Sequence, residues 1–155
     1  MRGRSRAREL ALQALFQIDV GRSDPETAIF QAFTREVEGD WSPAQLAEKD
    51  AAYARLLVQG AWEFREESDG LISKYARDWA VERMASVDRA ILRLAIYEIL
   101  HQDDVPDGVV ADEAVELAKG YSTAESGKFI NGILGSVIRG LKQGAEGANP
   151  TLSGH

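Results

Sequence analysis

Hydrophobic positions recur at helical spacing along nearly the whole chain. From Arg4 to about Val20, the residues Ala7, Leu10, Ala11, Ala14, Leu15 and Ile18 fall at i, i+3, i+4, i+7, i+8 and i+11, one stripe of an amphipathic helix. Gly21 then acts as a stop signal. Asp24-Pro25-Glu26 offers a cap, a first-turn proline and a first-turn acid, opening a second helix that carries Ile29, Phe33 and Val37. Gly39-Asp40-Trp41-Ser42-Pro43 reads as a loop, and a third helix follows with Leu46, Tyr53, Leu57, Ala61 and Phe64. Ser68-Asp69-Gly70 predicts a break or kink before a short helix carrying Leu71, Ile72 and Tyr75.

The stretch from Val87 to Leu100 has a different pattern. Val87, Ile91, Leu92, Leu94, Ala95, Ile96, Ile99 and Leu100 leave no wide polar face on a helical wheel, which marks a central, buried helix. Glu98 lies among the apolar positions of that helix. An unpaired carboxylate is costly there, so it requires a cationic or backbone partner, for which an arginine of the first helix is a candidate. Residues 103–108 form a turn. The next helix, about Val109 to Lys119, has acids early, a lysine late and Gly120 just past its end. The last helix opens on Ser122-Thr-Ala-Glu125, which has the form of a capping box, and continues through Phe129, Ile133, Val137 and Leu141 with Ile130, Leu134 and Ile138 alongside. Strand-like alternation and a repeat of fixed period are both missing, so the expected fold class is all-α with about seven helices. Residues 144–155 read as a flexible Gly-rich polar tail.

Charge adds a polarity that the helices alone do not show. The net charge is −7, yet Arg2, Arg4, Arg6 and Arg8 stand in the first eight residues with no acid among them. Arginine's planar fork suits phosphates and base edges, so this tip is a candidate contact for a polyanion; a solvated, frayed terminus would have the same composition. An overall acidic chain argues that any such contact is local. The chain has no cysteine, no apolar signal-like N-terminus and no run of 18 apolar residues. It therefore fits a cytoplasmic protein without a disulfide frame or a membrane span.

Candidate chemistry is sparse. His101 reads as a C-terminal cap and His155 lies in the tail, neither in a metal-ligand spacing. Asp112, Glu113 and Glu116 form a solvated acidic face, and no phosphate-cradling or nucleophile motif is present, so neither catalysis nor a cofactor is expected. Gly127, Gly132 and Gly135 interrupt a strongly periodic helix, with Lys128, Asn131 and Gly135 on one side, a face open to close approach by a helix or a ligand. Spacing alone places Phe129 in the core, and Asp88 has a simple structural role at the positive end of its helix.

Three stretches together resemble the NusB family of bacterial transcription antitermination factors. They are Arg6-Ala-Arg-Glu-Leu-Ala-Leu-Gln-Ala-Leu-Phe16, Val87-Asp-Arg-Ala-Ile-Leu-Arg-Leu-Ala-Ile-Tyr-Glu98, and Glu113-Ala-Val-Glu-Leu-Ala-Lys119 with Lys128-Phe-Ile-Asn-Gly-Ile-Leu134. The resemblance covers about residues 4 to 141. It implies two packed three-helix bundles, about 4–64 and 65–143, in one domain over residues 1–143. It also implies non-catalytic binding of the single-stranded boxA element of nascent ribosomal RNA, jointly with the small-subunit ribosomal protein NusE, within the antitermination complex of RNA polymerase. By the same resemblance, Arg2, Arg4, Arg6, Arg8, Glu125, Lys128 and Phe129 are expected at RNA, and Phe16 and Asp88 at NusE. Gly108 and Ala111 depart from residues common in the family. Two other readings fit the residues: a helical protein–protein adaptor with a basic contact tip, and the NusB-like domain of ribosomal RNA cytosine methyltransferases, which requires an additional cofactor-binding domain.

Overall fold

The computed structural model describes residues 2–36, 39, 41–76 and 80–147, with the side chains of Arg2 and of 145–147 outside the description. Val37, the side chain of Arg2 and residues 148–155 of the expected tail therefore lie outside the described residues, whereas 144–147 continue the last helix instead of forming tail. Within them the chain is all-helical: α1 (Arg2–Asp19), α2 (Pro25–Thr34), α3 (Glu48–Glu63), α4 (Arg65–Ala76), α5 (Ser86–His101), α6 (Asp107–Tyr121) and α7 (Ala124–Gly147), with short 3-10 turns at Pro43–Gln45 and Val81–Arg83.

Helix α5 is the axis of the molecule. Every residue from Ile91 to Ile99 is buried, as a helix without a polar face requires, and α5 packs against α1, α3, α4, α6 and α7. Helix α1 lays its apolar stripe on α2 and α3, burying Ala7, Leu10, Ala11, Ala14, Leu15 and Ile18. Helix α6 packs along α7. Ion pairs fasten α1 to α5 at both ends. Arg8 meets Glu98 near one end, and Asp19 takes Arg89 at 2.7 Å and Arg93 at 3.6 Å at the other. Gly60 of α3 lies so near the Tyr97 ring of α5 that any side chain there would overlap it, which fixes how closely these helices cross.

Local signals were right about most helices and wrong at several boundaries. Asp24 caps α2 as expected, accepting the Thr27 N–H at 3.0 Å, with Pro25 in the first turn. Ser68-Asp69-Gly70 does not break the chain: α4 runs through it, and the interruption falls at Phe64 (φ −97°, ψ 20°). The reason is tertiary. Ser68 is buried, and Asp69 receives Arg93 through two bonds of 2.8 Å, so packing overrides poor intrinsic propensity. Leu46 precedes α3, and α6 continues past Gly120 to Tyr121. The capping position of α7 is Thr123 rather than Ser122, since its Oγ1 accepts the Ser126 N–H at 3.0 Å. His101 does not cap α5. Its ring stacks on Phe64 and Tyr97 at 4.4 and 5.0 Å, and Nε2 meets Glu67 at 3.0 Å.

Candidate nucleic-acid interface

The first two turns of α1 separate the arginines into two environments. Arg8 is 4% exposed. Its Nε and one terminal nitrogen donate to the two carboxylate oxygens of Glu98, each at 2.8 Å, and its other nitrogen reaches Glu113 at 3.4 Å. The Tyr53 hydroxyl donates a short bond to the same Glu98 carboxylate. Glu98 thus has the first-helix arginine its burial demanded, and Arg8 does not belong to the exposed RNA surface expected of it. A guanidinium buried to this degree and paired with two carboxylates presents no open edge to a phosphate. Burial is the strongest single influence and would lower the Arg8 pKa, but the bond to Glu98 and the charges of Glu98, Tyr53 and Glu113 together hold it above the ordinary value. Burial and the bond to Glu98 both push the Tyr53 phenol above its usual range.

Arg4 and Arg6 remain accessible, and both lie on aromatic rings. The Arg4 guanidinium sits 3.8 Å from the centre of the Tyr53 ring, and Arg6 sits 4.5 Å from that of Trp41. Arg6 also touches Glu9 at 3.4 Å. Gly3 is close enough to the Asp50 carboxylate that a side chain would displace it, so the start of α1 is seated on the start of α3 rather than frayed. Ser5 donates to Glu113 of α6 at 2.7 Å, carrying the tip across to the next helix.

Glu113 in turn lines an open groove of about 600 Å³ between α6 and α7, together with Asp112, Lys119, Gly127, Lys128 and Asn131. Lys128 and Asn131 are both exposed there. The glycines of α7 contribute less close approach than their number suggested. A side chain at Gly127 would make ordinary contact with Val115, Gly132 faces open space, and Gly135 lies beneath Arg139 of its own helix. The close glycine of α7 is Gly140, against the Tyr75 hydroxyl.

Phe129 faces a different depression. It is half-buried, packs on the core and lines a cavity of about 540 Å³ with Arg83, Asp88, Glu125 and Ser126. Lys128 and Phe129, both expected at RNA, therefore open onto different flanks of the α7 start. Asp88 is 7% exposed and accepts the Ser126 hydroxyl at 2.9 Å through Oδ2, while its buried Oδ1 has no partner among the described residues. Asp88 thus does more than complement a helix dipole, because it also ties the start of α5 to the start of α7 through Ser126. Phe16 is half-buried and lines an apolar groove of about 440 Å³ with Leu12, Ala28, Ala32, Val87 and Tyr121. Val87 of this groove and Asp88 of the cavity are consecutive residues of the first turn of α5.

Sequence reasoning missed Trp41 and Tyr53 as seats for the arginines, and the groove beside Phe16. Tyr53 was hidden in a core stripe; a tryptophan in a Gly/Asp/Ser/Pro loop was the available signal for the other. Among the described residues, no three of His, Cys, Asp and Glu are grouped to hold a metal, and no helix is long and apolar enough to cross a membrane.

Residues 5–139 match the NusB family. The chain is 65% identical over 150 residues to transcription antitermination protein NusB of Symbiobacterium thermophilum, covering 97% of each. It superimposes on a T. maritima NusB structure with a TM-score of 0.76 at 38% identity, over 88% of this chain and 90% of that one. It also superimposes on a structure of antitermination factors NusB and NusE in complex with double-stranded RNA, with a TM-score of 0.76 at 27% identity, over 90% and 98%. The chain belongs to the NusB family of transcription antitermination proteins.

Proposed function

We propose that this chain is a non-catalytic cytoplasmic antitermination factor that binds the single-stranded boxA element of nascent ribosomal RNA together with NusE, in the antitermination complex of RNA polymerase. The observation that carries this reading is the bridge through Glu113. It ties the Arg4–Arg6 tip, by way of Ser5, to the α6–α7 groove where Lys128 and Asn131 stand. A strand crossing the end of α1 meets two guanidinium groups and then enters an open groove with a cation and an amide. Unstacked single strands are recognised by contacts of this kind. Glu125 accepts amino groups of bases rather than phosphates, and Phe129 offers a half-exposed ring at the other flank of α7.

NusE is assigned to the neighbouring surface. The groove beside Phe16 supplies mostly apolar area, with Arg35 among its lining residues, and the Asp88 carboxylate selects a cationic side chain nearby. The related assembly of NusB, NusE and RNA supports joint binding. The test measures retention of labelled boxA RNA, against a scrambled RNA, with and without purified NusE. Sequence-selective, salt-sensitive retention that NusE strengthens is expected, and Asp88→Lys should remove the strengthening while the chain stays folded. Binding to NusE with no preference for boxA would instead establish a protein adaptor.

A further inference from the structure

We propose that Trp41 is a positioning residue for RNA binding. In this assignment, which rests on the RNA-binding reading above, the loop from Trp41 to Leu46 forms one side of the RNA face. Residues two apart on a helix point about 200° away from each other at 3.6 residues per turn, so Arg4 and Arg6 leave α1 on nearly opposite sides. Each side has its own ring. Arg4 lies on Tyr53, whose hydroxyl is bonded to the buried Glu98. Arg6 lies on Trp41, which comes from the α2–α3 connection.

That connection is built to hold its position. The Ser42 N–H donates to Gln45 Oε1 at 2.7 Å, and the Gln45 N–H returns to the Ser42 carbonyl at 2.9 Å. Pro43 is buried, and the Trp41 indole is half-buried against the core. The indole is therefore anchored on one side while Arg6 covers part of it. A guanidinium held over an indole face keeps N–H donors at its own edges, free for a phosphate or a base edge. It also has less side-chain freedom left to lose when RNA arrives. The Arg6–Glu9 contact, at 3.4 Å between residues one helical turn apart, is a looser restraint than the ring.

A charge carrier and a charge holder leave different signatures in salt. Arg6→Ala removes a phosphate contact, so affinity falls and the slope of log K against log salt flattens by about 0.7. Trp41→Leu keeps apolar bulk in the loop but removes the indole face. The charge stays on the molecule, so the slope is unchanged, while affinity falls about two- to fivefold, the scale of an exposed cation–π contact. Trp41→Phe restores most of the affinity.

The experiment is a double-mutant cycle on Trp41→Leu and Arg6→Ala. It uses the full chain with NusE, fluorescein-labelled single-stranded boxA RNA, and a salt titration of each variant. The expected result is that Trp41→Leu adds little once Arg6 is gone. Additive losses, or wild-type affinity in Trp41→Leu, would overturn the assignment. Thermal melts of all variants separate a loosened loop from an unfolded chain, and an unfolded Trp41→Leu with folded, weak-binding Trp41→Phe also counts against it. If the unaltered chain with NusE does not retain boxA RNA, the RNA reading itself fails, whatever Trp41 does.

Discussion

Arg8 and the pair Arg4–Arg6 sit within about a turn of one another on α1, in nearly the same local sequence, and the fold treats them oppositely. Around Arg8 the surroundings are closed: two carboxylates, the Tyr53 ring 5.9 Å away and the flank of α5. Around Arg4 and Arg6 they are open on one side, and the protein supplies ring faces instead of a buried carboxylate. A carboxylate neutralises an arginine, whereas a ring orients it and leaves its charge for others. What the comparison teaches is that a basic run must be divided by partner before it is counted as a binding surface.

The largest test of that division is Glu98→Ala. It leaves the Arg8 guanidinium buried without its main counter-charge and should cost about 3–5 kcal/mol of folding stability in urea unfolding. A cost below about 1 kcal/mol would mean that Arg8 escapes to water and is no different from its neighbours. Next in size is Phe129→Ala, expected to weaken boxA binding by about 1–3 kcal/mol in fluorescence anisotropy while NusE binding persists. The half-exposed ring predicts a smaller stability loss than full core truncation. A largely unfolded variant would return Phe129 to the core and leave RNA to the arginines and Lys128.

Removing Arg4 and Arg6 together should flatten the salt dependence of RNA binding by about 1.4, at roughly 0.7 per phosphate, with stability changed by less than about 1 kcal/mol. Adding Arg8→Ala to that variant should lower stability and leave the slope where it was; a further flattening would place Arg8 on the RNA after all. The smallest effect concerns pH. The Tyr53 phenol is held above its usual value of about 10, so above that pH the folded chain keeps a proton that the unfolded chain releases. The corresponding stability is fully present below about pH 10 and is lost as pH rises toward the folded value. Tyr53→Phe should cost about 1 kcal/mol at neutral pH and decline less steeply than the parent in alkaline thermal melts.

Much of this was legible in the chain itself. A helix without a polar face had to be central, and an acid inside it needed a cationic or backbone partner, so the place of α5 and the need for a partner at Glu98 follow from solvation cost alone. Which of the evenly spaced arginines would be consumed was not legible, because that depends on where α5 and α6 bring Glu98 and Glu113. The false break at Ser68-Asp69-Gly70 has the same origin, since Arg93 reaches Asp69 from another helix. The α7 cap moved by one residue because Ser122 and Thr123 offer the same hydroxyl chemistry and only the path from α6 distinguishes them. Residues expected at RNA and at the partner share the cavity of Asp88, Glu125 and Phe129, a proximity that no linear pattern contains.

The Arg8–Glu98 pair also has a consequence for the order of events during synthesis. Its two halves are 90 residues apart in the chain. At elongation rates of about 5–20 residues per second, the carboxylate is made several seconds or more after the arginine. Throughout that interval the nascent first helix carries all its positive charge uncommitted, beside the messenger and the ribosome that are producing it. Only when α5 has emerged does the tip acquire its final, smaller set of free arginines, and the α6–α7 groove follows later still.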